Sequence, residues 1–374
     1  METTIGYLRW RGDLTFKERP FNEVDNLIFC LLAYPTQRLL ASTDELTIRD
    51  AYDRYTTHEH SYYDDFYSEA FVEAAKTARF KDLLLSDYTD CMDKEKNLQF
   101  AAMCFHLPGN VHYVAFRGTD FTLTGWKEDF YLSFQIVEAQ KMAASYLEAM
   151  MKKYRGKFYV GGHSKGGNLA VYAAAMVGKR YQNRILRVYS NDGPGFSPDI
   201  IAPDLFSDIA EKIYRIGPEY SVIGNIFYDT PANEIVKSTL SGAKQHAGAS
   251  WCVERDHFVT ADSYDPGATT INTIIDEWLV NQDDEQRKIF IHDLFATLEA
   301  TGTQEFGMPA ENIGEQPKGI AKVQNSFNIL ERVLKTMSSS DDSSKESFKE
   351  LLRTASKVIR DSAMKEFFNV TKKK

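Results

Sequence analysis

The sequence predicts an α/β fold in which a mostly parallel sheet is flanked by helices, with a helical extension at the C-terminus. Strand-like and helix-like segments alternate between residues 98 and 216. A glycine-rich turn near residue 164 joins a strand-like segment to a helix-like one, and residues 320–359 repeat apolar side chains at helical spacing. Such alternation is typical of a parallel sheet covered by helices.

The first segments are predicted to be two helices and a hairpin. Residues 21–32 carry apolar side chains at helical spacing, and a second helical pattern covers residues 65–85. Two strand-like runs follow at 98–105 and 112–116, and the sequence Pro108-Gly109-Asn110 between them is a strong turn signal.

The alternating region that follows predicts the parallel part of the sheet. Strands are expected at 158–160, 184–190 and 212–216, with helices at 136–151, 168–177 and 200–209. After about residue 270 the pattern becomes helical, with a break rich in serine and aspartate at 338–344. We therefore expect one domain over residues 1–270 and a helical extension over 271–374.

Composition excludes several classes of protein. The chain has 374 residues with 44 Lys+Arg and 53 Asp+Glu, and the net charge of −9 disfavours a nucleic-acid partner. There is neither an apolar run of about 18 residues nor an N-terminal secretion signal, so a cytoplasmic protein without a transmembrane segment is expected. The four cysteines are widely spread, with no pair at zinc-ligand spacing. No metal or cofactor is predicted, and the oligomeric state is left open.

A candidate nucleophile lies in the sequence Gly162-His163-Ser164-Lys165-Gly166. The serine follows a β-prone run and precedes a segment whose residues favour an α-helix. This strand–turn–helix order is the arrangement of a nucleophile elbow. Glycines are needed on both sides because a Cβ would clash in such a tight turn. The turn also supplies one donor for an oxyanion, the backbone N–H of Lys165.

A serine nucleophile needs a base, and the base needs an orienting acid. Three histidines follow the serine, and His246, in a glycine-containing polar loop, is favoured over His257 and His292. Glu219, just after the strand-like run 212–216, is the preferred acid. Asp192, in an Asp-Gly sequence after the preceding strand, is its competitor.

The second oxyanion donor should come from a loop after an earlier strand. The sequence Arg117-Gly118-Thr119 follows the run 112–116, and glycine there permits close approach of the backbone to a substrate. Thr119 is therefore the candidate.

These motifs resemble the class 3 (fungal-type) lipases in order and spacing. The resemblance depends on residues 114–120, Trp126, Asp129 and residues 162–170. More closely, the chain resembles a bacterial family of lipase-like α/β-hydrolases, through residues 12–16, 163–167, 190–196 and the Gln245-His246 loop leading to Trp251. The resemblance covers roughly residues 5–260.

The resemblance implies an α/β-hydrolase fold with Ser164 as nucleophile, His246 as base, and Thr119 and Lys165 as oxyanion donors. It also implies a lid over residues 121–134. Two departures stand out. Lys165 replaces the usual apolar residue after the nucleophile and would bring a cation near the mouth of the site. The acid of class 3 lipases is an aspartate before Val-Pro, whereas Glu219 precedes Tyr220.

The leading hypothesis is a serine hydrolase that cleaves carboxylic esters of small molecules or lipids. Thioesterase and acyltransferase chemistry use the same residues, so the sequence does not separate them. The alternative is a non-catalytic hydrolase-fold protein that binds a partner through its C-terminal helices. The intact serine, histidine and glycines favour the enzyme.

Overall fold

The computed structural model describes most of the first 289 residues. The described residues are 1–34, 45–57, 62–93, 95–96, 98–119, 131–132, 135–196, 203–228, 231–283 and 285–289, together with 350, 353, 354 and 357. The helical pattern of residues 320–359 therefore lies almost wholly outside the described part of the chain. Among the described helices, none combines the length and the apolar composition that crossing a bilayer requires.

The described strands form a large sheet and a small one. They are β1 (Glu2–Thr3), β2 (Leu46–Thr47), β3 (Leu84–Asp93), β4 (Leu98–Leu107), β5 (Val111–Phe116), β6 (Lys157–His163), β7 (Ile185–Asn191), β8 (Ile213–Pro218), β9 (Glu234–Val236), β10 (Cys252–Glu254) and β11 (His257–Phe258). The large sheet has the order β2-β3-β4-β5-β6-β7-β8-β9, antiparallel as far as β5 and parallel from β5 to β9. The small antiparallel sheet has the order β1-β10-β11.

Helices cover both faces of the large sheet. They are α1 (Thr4–Arg11), α2 (Glu23–Leu32), α3 (Ile48–Thr56), α4 (Tyr62–Ala74), α5 (Glu138–Lys153), α6 (Lys165–Met176), α7 (Lys179–Gln182) and α8 (Pro266–Val280). The apolar side chains of α1, α2 and α4 form one core with one face of the sheet. Those of α5 and α6 form a second core with the other face. This three-layer arrangement is an α/β-hydrolase fold, as expected.

Local signals explain why the elements begin and end where they do. Helix α2 begins with a capping box, in which the Asn22 side chain accepts from the N–H of Asp25 and the Asp25 carboxylate accepts from that of Asn22. The turn between β4 and β5 needs a left-handed backbone at Gly109 (φ +80°) and Asn110 (φ +58°), which glycine and asparagine tolerate best. The predicted hairpin is confirmed.

Two predictions about elements were wrong. The helix expected over 65–85 ends at Ala74, and Leu84 and Leu85 begin strand β3 because they pair with β2 and β4. A short apolar run fits a strand as well as a helix. In the region 200–209 the described residues form a 3₁₀ turn at Pro203–Phe206 and no α-helix.

The predicted domain boundary at residue 270 falls inside α8. This helix packs on the hydrolase domain, since the Asn272 side chain donates to the carbonyl of Val222 (2.6 Å) and the Asp276 carboxylate accepts from the N–H of Phe227 (3.2 Å). The side chain of Trp278 is also buried. The first domain therefore extends at least to the end of α8.

Candidate active site

Ser164 occupies a sharp turn between β6 and α6, as the sequence predicts. Its backbone has φ +57° and ψ −131°, a conformation that is costly for a residue with a side chain and that nucleophile elbows require. A Cβ added to Gly162 would lie 2.1 Å from the carbonyl of Gly166, and one added to Gly166 would lie 2.1 Å from that of Phe116. Both glycines are needed because the backbones touch.

The turn brings Ser164 beside the end of strand β7. The N–H of Ser164 donates to the carbonyl of Asn191 at 2.9 Å, and Asn191 directly precedes Asp192. The side chain of Asn191 donates to the carbonyl of Gly162 (3.1 Å) and accepts from Asn26 of α2 (2.9 Å). A buried amide network therefore fixes the ends of β6 and β7 together. Sequence reasoning missed Asn26, whose only signal is a polar residue within an apolar helical stripe.

The acid that contacts His246 is Asp192. Its Oδ2 atom lies 2.6 Å from Nδ1 of His246, and its side chain is almost fully buried. Because a carboxylate at this position accepts the Nδ1 proton, the Nε2 atom of a neutral His246 keeps its lone pair and can act as a base. The competitor named from the sequence is thus the residue that the fold brings to the histidine.

Among the described residues, no hydrogen bond or ion pair joins the carboxylate of Glu219, the preferred acid, to His246. The N–H of Glu219 donates to the carbonyl of Val236 and its own carbonyl accepts from Asp265, which hold the main chain at the end of β8. Burial raises the pKa of the Cys252 thiol, and the negative charge of Glu219 raises it further. The sequence reasoning placed the acid after β8, whereas the residue after β7 is the one that faces the elbow.

Ser221 supports Asp192 from the other side. Its hydroxyl donates to Oδ1 of Asp192 at 2.5 Å, while Oδ2 faces His246. The main-chain N–H of Asp192 also donates to the carbonyl of Ile216 at 2.7 Å. Both carboxylate oxygens therefore have a hydrogen-bond donor, so the carboxylate is held in one orientation. Nothing in the sequence pattern singled out Ser221.

His163 holds the main chain of His246. Its Nε2 atom lies 2.7 Å from the carbonyl oxygen of His246, and a carbonyl can only accept, so Nε2 carries the proton. Its Nδ1 atom then accepts from the hydroxyl of Tyr34 at 3.2 Å. Burial, and then the neighbouring His246, lower the pKa of His163 to about 3. His163 is thus neutral, and both of its ring nitrogens are used in holding the main chain of His246 and the hydroxyl of Tyr34.

The loop that carries His246 is tied down by two further contacts. Trp251, which is fully buried, donates from Nε1 to the carbonyl of Gln245 at 2.8 Å. The side chain of Gln245 accepts from the N–H of Tyr220 at 2.9 Å. These contacts give a physical role to the Gln-His loop and tryptophan on which the sequence resemblance partly depends.

The expected oxyanion loop lies directly against the elbow. A Cβ added to Gly118 would lie 2.6 Å from the carbonyl of His163 and 3.3 Å from Cβ of Ser164. Thr119 follows this point of contact. Lys165 is the first residue of α6, and the N–H groups of the first turn have no acceptor within a helix. Both candidate donors thus lie at the carboxyl ends of the strands, beside Ser164.

The side chain of Lys165 does not reach the mouth of the site, contrary to expectation. It is buried, and Nζ donates to the carbonyl of Gln99 (2.8 Å) and to its side-chain oxygen (3.0 Å). The lysine turns inward onto β4, where an aliphatic stem fills the core and the ammonium group meets polar atoms of the strand.

Other candidates lie elsewhere or outside the described residues. His257 is an exposed residue of β11 whose side chain neighbours Asp256, so it does not compete with His246. His292 and nearly all of the expected lid over 121–134 are outside the described residues. Among the described residues the hydroxyl of Ser164 makes no hydrogen bond to His246. Catalytic contacts of this kind often tighten only when substrate binds.

Comparison with known proteins gives one family and several distant structural neighbours. A family model described as Mbeg1-like matches residues 74–296. M37 lipase is 16% identical, with 62% of this chain and 82% of that chain covered and a TM-score of 0.35. The Rhizomucor miehei lipase in complex with its propeptide is 14% identical, with 64% of this chain and 74% of that chain covered and a TM-score of 0.33. The lipase of Rhizopus microsporus var. chinensis is 12% identical, with 59% and 84% covered and a TM-score of 0.30. Among curated proteins none matches the chain.

Proposed function

The chain belongs to the Mbeg1-like family, and we propose that it is a serine hydrolase that cleaves carboxylic esters through an acyl-enzyme on Ser164. The observation that carries the proposal is the 2.6 Å contact between His246 and Asp192 beside a strained serine elbow. A backbone at φ +57° costs free energy, and such strain persists mainly where function needs it. A binding protein would gain nothing from this combination.

In the first half-reaction Ser164 is the nucleophile. Its Oγ attacks the ester carbonyl while Nε2 of His246 takes the hydroxyl proton, and Asp192 stabilises the imidazolium that forms. The N–H groups of Lys165 and Thr119 donate to the oxyanion of the tetrahedral intermediate. Collapse of the intermediate breaks the bond to the alcohol, which leaves with the proton from His246. The acyl group stays on Oγ.

In the second half-reaction water replaces the alcohol. His246 takes a proton from water, the resulting hydroxide attacks the acyl carbonyl, and the same oxyanion donors act again. The ester bond to Ser164 breaks, the proton returns to Oγ, and the carboxylic acid is released. No metal or redox group takes part in these steps.

An active-site probe tests the nucleophile. A fluorophosphonate should label the wild-type protein and fail to label Ser164→Ala. The matched control is Ser207→Ala, an exposed serine on a surface turn, which should label like wild type. Equal labelling of Ser164→Ala and wild type would overturn the assignment. If the folded wild-type protein does not label at all, the non-catalytic alternative replaces the proposal.

Hydrolysis of p-nitrophenyl esters from acetate to palmitate tests the substrate class. We expect turnover of at least part of the series, and a loss of about 10⁴-fold or more in kcat for His246→Gln. His257→Gln, on an exposed histidine, is the control and should keep full activity. Activity on thioesters and not on any oxygen ester would contradict the ester class while leaving the nucleophile intact.

A further inference from the structure

Three side chains that bind metals readily lie together on strands β4 and β5, towards the hairpin turn and away from Ser164. Cys104 and His106 are on β4 and His112 is on β5, all on one face of the hairpin and near its turn. Their donor atoms lie within 4.8 Å of one another. Ser164 follows the other end of the neighbouring strand β6, because β5 and β6 run parallel from Val111 and Lys157. The cluster is therefore separate from the proposed active site.

The hydrogen bonds fix the proton of His112. Its Nε2 atom lies 2.8 Å from the carbonyl oxygen of Arg155. A carbonyl only accepts, so Nε2 carries the proton and Nδ1 of the neutral ring has a lone pair. That lone pair points at Nδ1 of His106, 2.9 Å away.

The position of the proton on His106 depends on the direction of the hydrogen bond from Ser86. The Nε2 atom of His106 lies 2.7 Å from the hydroxyl of Ser86, whose oxygen also lies 2.7 Å from Oδ2 of Asp87. Lys153 and Tyr154 donate to Asp87, at 2.7 Å each, so this carboxylate is an acceptor. When the hydroxyl of Ser86 donates to Asp87, it accepts from Nε2 of His106 and leaves Nδ1 of His106 with a lone pair. When it donates to Nε2 instead, Nδ1 of His106 carries the proton and donates to Nδ1 of His112.

In the first of these arrangements two nitrogen lone pairs lie 2.9 Å apart and repel each other unless a cation lies between them. A third possible ligand atom, the sulfur of the buried Cys104, lies within 4.8 Å of one ring nitrogen of each histidine. Two imidazole nitrogens and a thiolate are a ligand set that Zn²⁺ prefers. Each ring also donates its other N–H to an oxygen, of Arg155 and of Ser86, as metal-binding histidines generally do.

We propose that Cys104, His106 and His112 bind one Zn²⁺ ion, which joins β4 to β5 at the end of the sheet remote from the elbow. On binding, the Cys104 thiol loses its proton to solvent and the sulfur bonds to the metal, while both imidazoles bind as neutral ligands through Nδ1. Ligand distances of about 2.0–2.3 Å around one ion need ligand atoms roughly 3.4–3.7 Å apart, which small side-chain shifts provide. His106 is half-buried, whereas Cys104 and His112 are buried.

Cobalt substitution of the full chain tests the site. EDTA-treated protein titrated with Co²⁺ should bind one ion per chain, with visible bands of tetrahedral Co²⁺ and a near-ultraviolet band from sulfur-to-cobalt charge transfer. Cys104→Ala should lose the charge-transfer band, and His106→Gln should weaken binding and change the visible bands. Cys91→Ala and His257→Gln, which alter a cysteine and a histidine outside the cluster, should keep both signals.

A second measurement guards against variants that fail to fold. Ser86→Ala leaves the three proposed ligands in place but removes the hydroxyl that contacts the His106 ring, Asp87 and Tyr154, and it should weaken Zn²⁺ binding by about 10- to 100-fold. Zn²⁺ should raise the Tm of the wild-type protein and not that of His106→Gln. If folded wild-type protein binds neither Co²⁺ nor Zn²⁺ stoichiometrically, a proton lies between the two rings and the proposal is wrong. Unchanged binding by folded Cys104→Ala and His106→Gln would overturn it equally.

Discussion

The imidazole of His163 donates a hydrogen bond from Nε2 to the main-chain carbonyl of His246 at 2.7 Å. The residue before the proposed nucleophile therefore holds the main chain of the proposed base. The ring is buried and also accepts a hydrogen bond from Tyr34. The hydrogen bond to His246 therefore depends on a neutral His163 with its proton on Nε2.

This relationship predicts how stability changes with pH. The pKa of His163 is about 3 in the folded protein, because burial and then His246 lower it, against about 6.5 in an unfolded chain. The unfolded state thus binds more protons between these values. The contribution of neutral His163 to the free energy of unfolding is fully present above pH 6.5. It is lost as the pH falls towards 3, at up to about 1.4 kcal/mol per pH unit.

Urea unfolding between pH 7.5 and 4.5 measures this dependence. His163→Gln should be less stable at neutral pH and should lose less stability than wild type as the pH falls. His257→Gln, on an exposed histidine, should keep the wild-type slope. An equal slope in His163→Gln and wild type would show that another group causes the acid sensitivity.

The choice between the two acids, Asp192 and Glu219, predicts a large loss of kcat for one substitution and a small change for the other. Asp192→Asn should reduce kcat by about 10⁴-fold, because an amide no longer favours the His246 tautomer with the proton on Nδ1. Glu219→Gln should change kcat by only a few-fold, since no hydrogen bond or ion pair joins its carboxylate to His246 among the described residues. Steady-state hydrolysis of an activated ester measures both. A large loss in Glu219→Gln with little loss in Asp192→Asn would reverse the two roles.

The elbow predicts a sharp contrast between two glycines. In Gly166→Ala the new methyl group would lie 2.1 Å from the carbonyl oxygen of Phe116, so the backbone must shift and we expect destabilisation by about 1–3 kcal/mol or more together with loss of activity. Gly178→Ala meets nothing within 4 Å and should be tolerated. Denaturant midpoints and ester turnover of both variants test this. Full activity in Gly166→Ala would contradict the geometry of the elbow.

A buried ion pair at the N-terminal side predicts a stability defect. Arg79 donates to both oxygens of Asp25 and to the carbonyls of Leu14, Arg19 and Pro20. Arg79→Met should therefore cost about 3–5 kcal/mol of unfolding free energy, because Asp25 stays buried without its cation.

An exposed pair provides the control for this prediction. Arg9 contacts Glu69 at 2.9 Å, but both side chains are more than half exposed, so Arg9→Met should cost no more than about 1 kcal/mol. Chemical denaturation of the two variants under identical conditions gives the comparison. Similar losses in both would show that burial does not decide the strength of the Arg79 pair.

The sequence alone determined the features whose causes are local. The hairpin follows from a glycine-asparagine turn between two β-prone runs, and the elbow follows from paired glycines around Ser164 between a strand and a helix. Local backbone sterics and side-chain periodicity act over a few residues, so they can be read along the chain.

Only the tertiary structure decided the contacts between distant segments. Asp192 and Glu219 both follow strands, and the distance to His246 distinguishes them because it depends on how β7, β8 and the His246 loop pack. The inward turn of Lys165 onto Gln99 depends in the same way on β4 lying beside the start of α6. The approach of Cys104, His106 and His112 depends on the register of β4 and β5. Hydrogen bonds between distant segments exist only once the sheet has formed, and no local pattern encodes them.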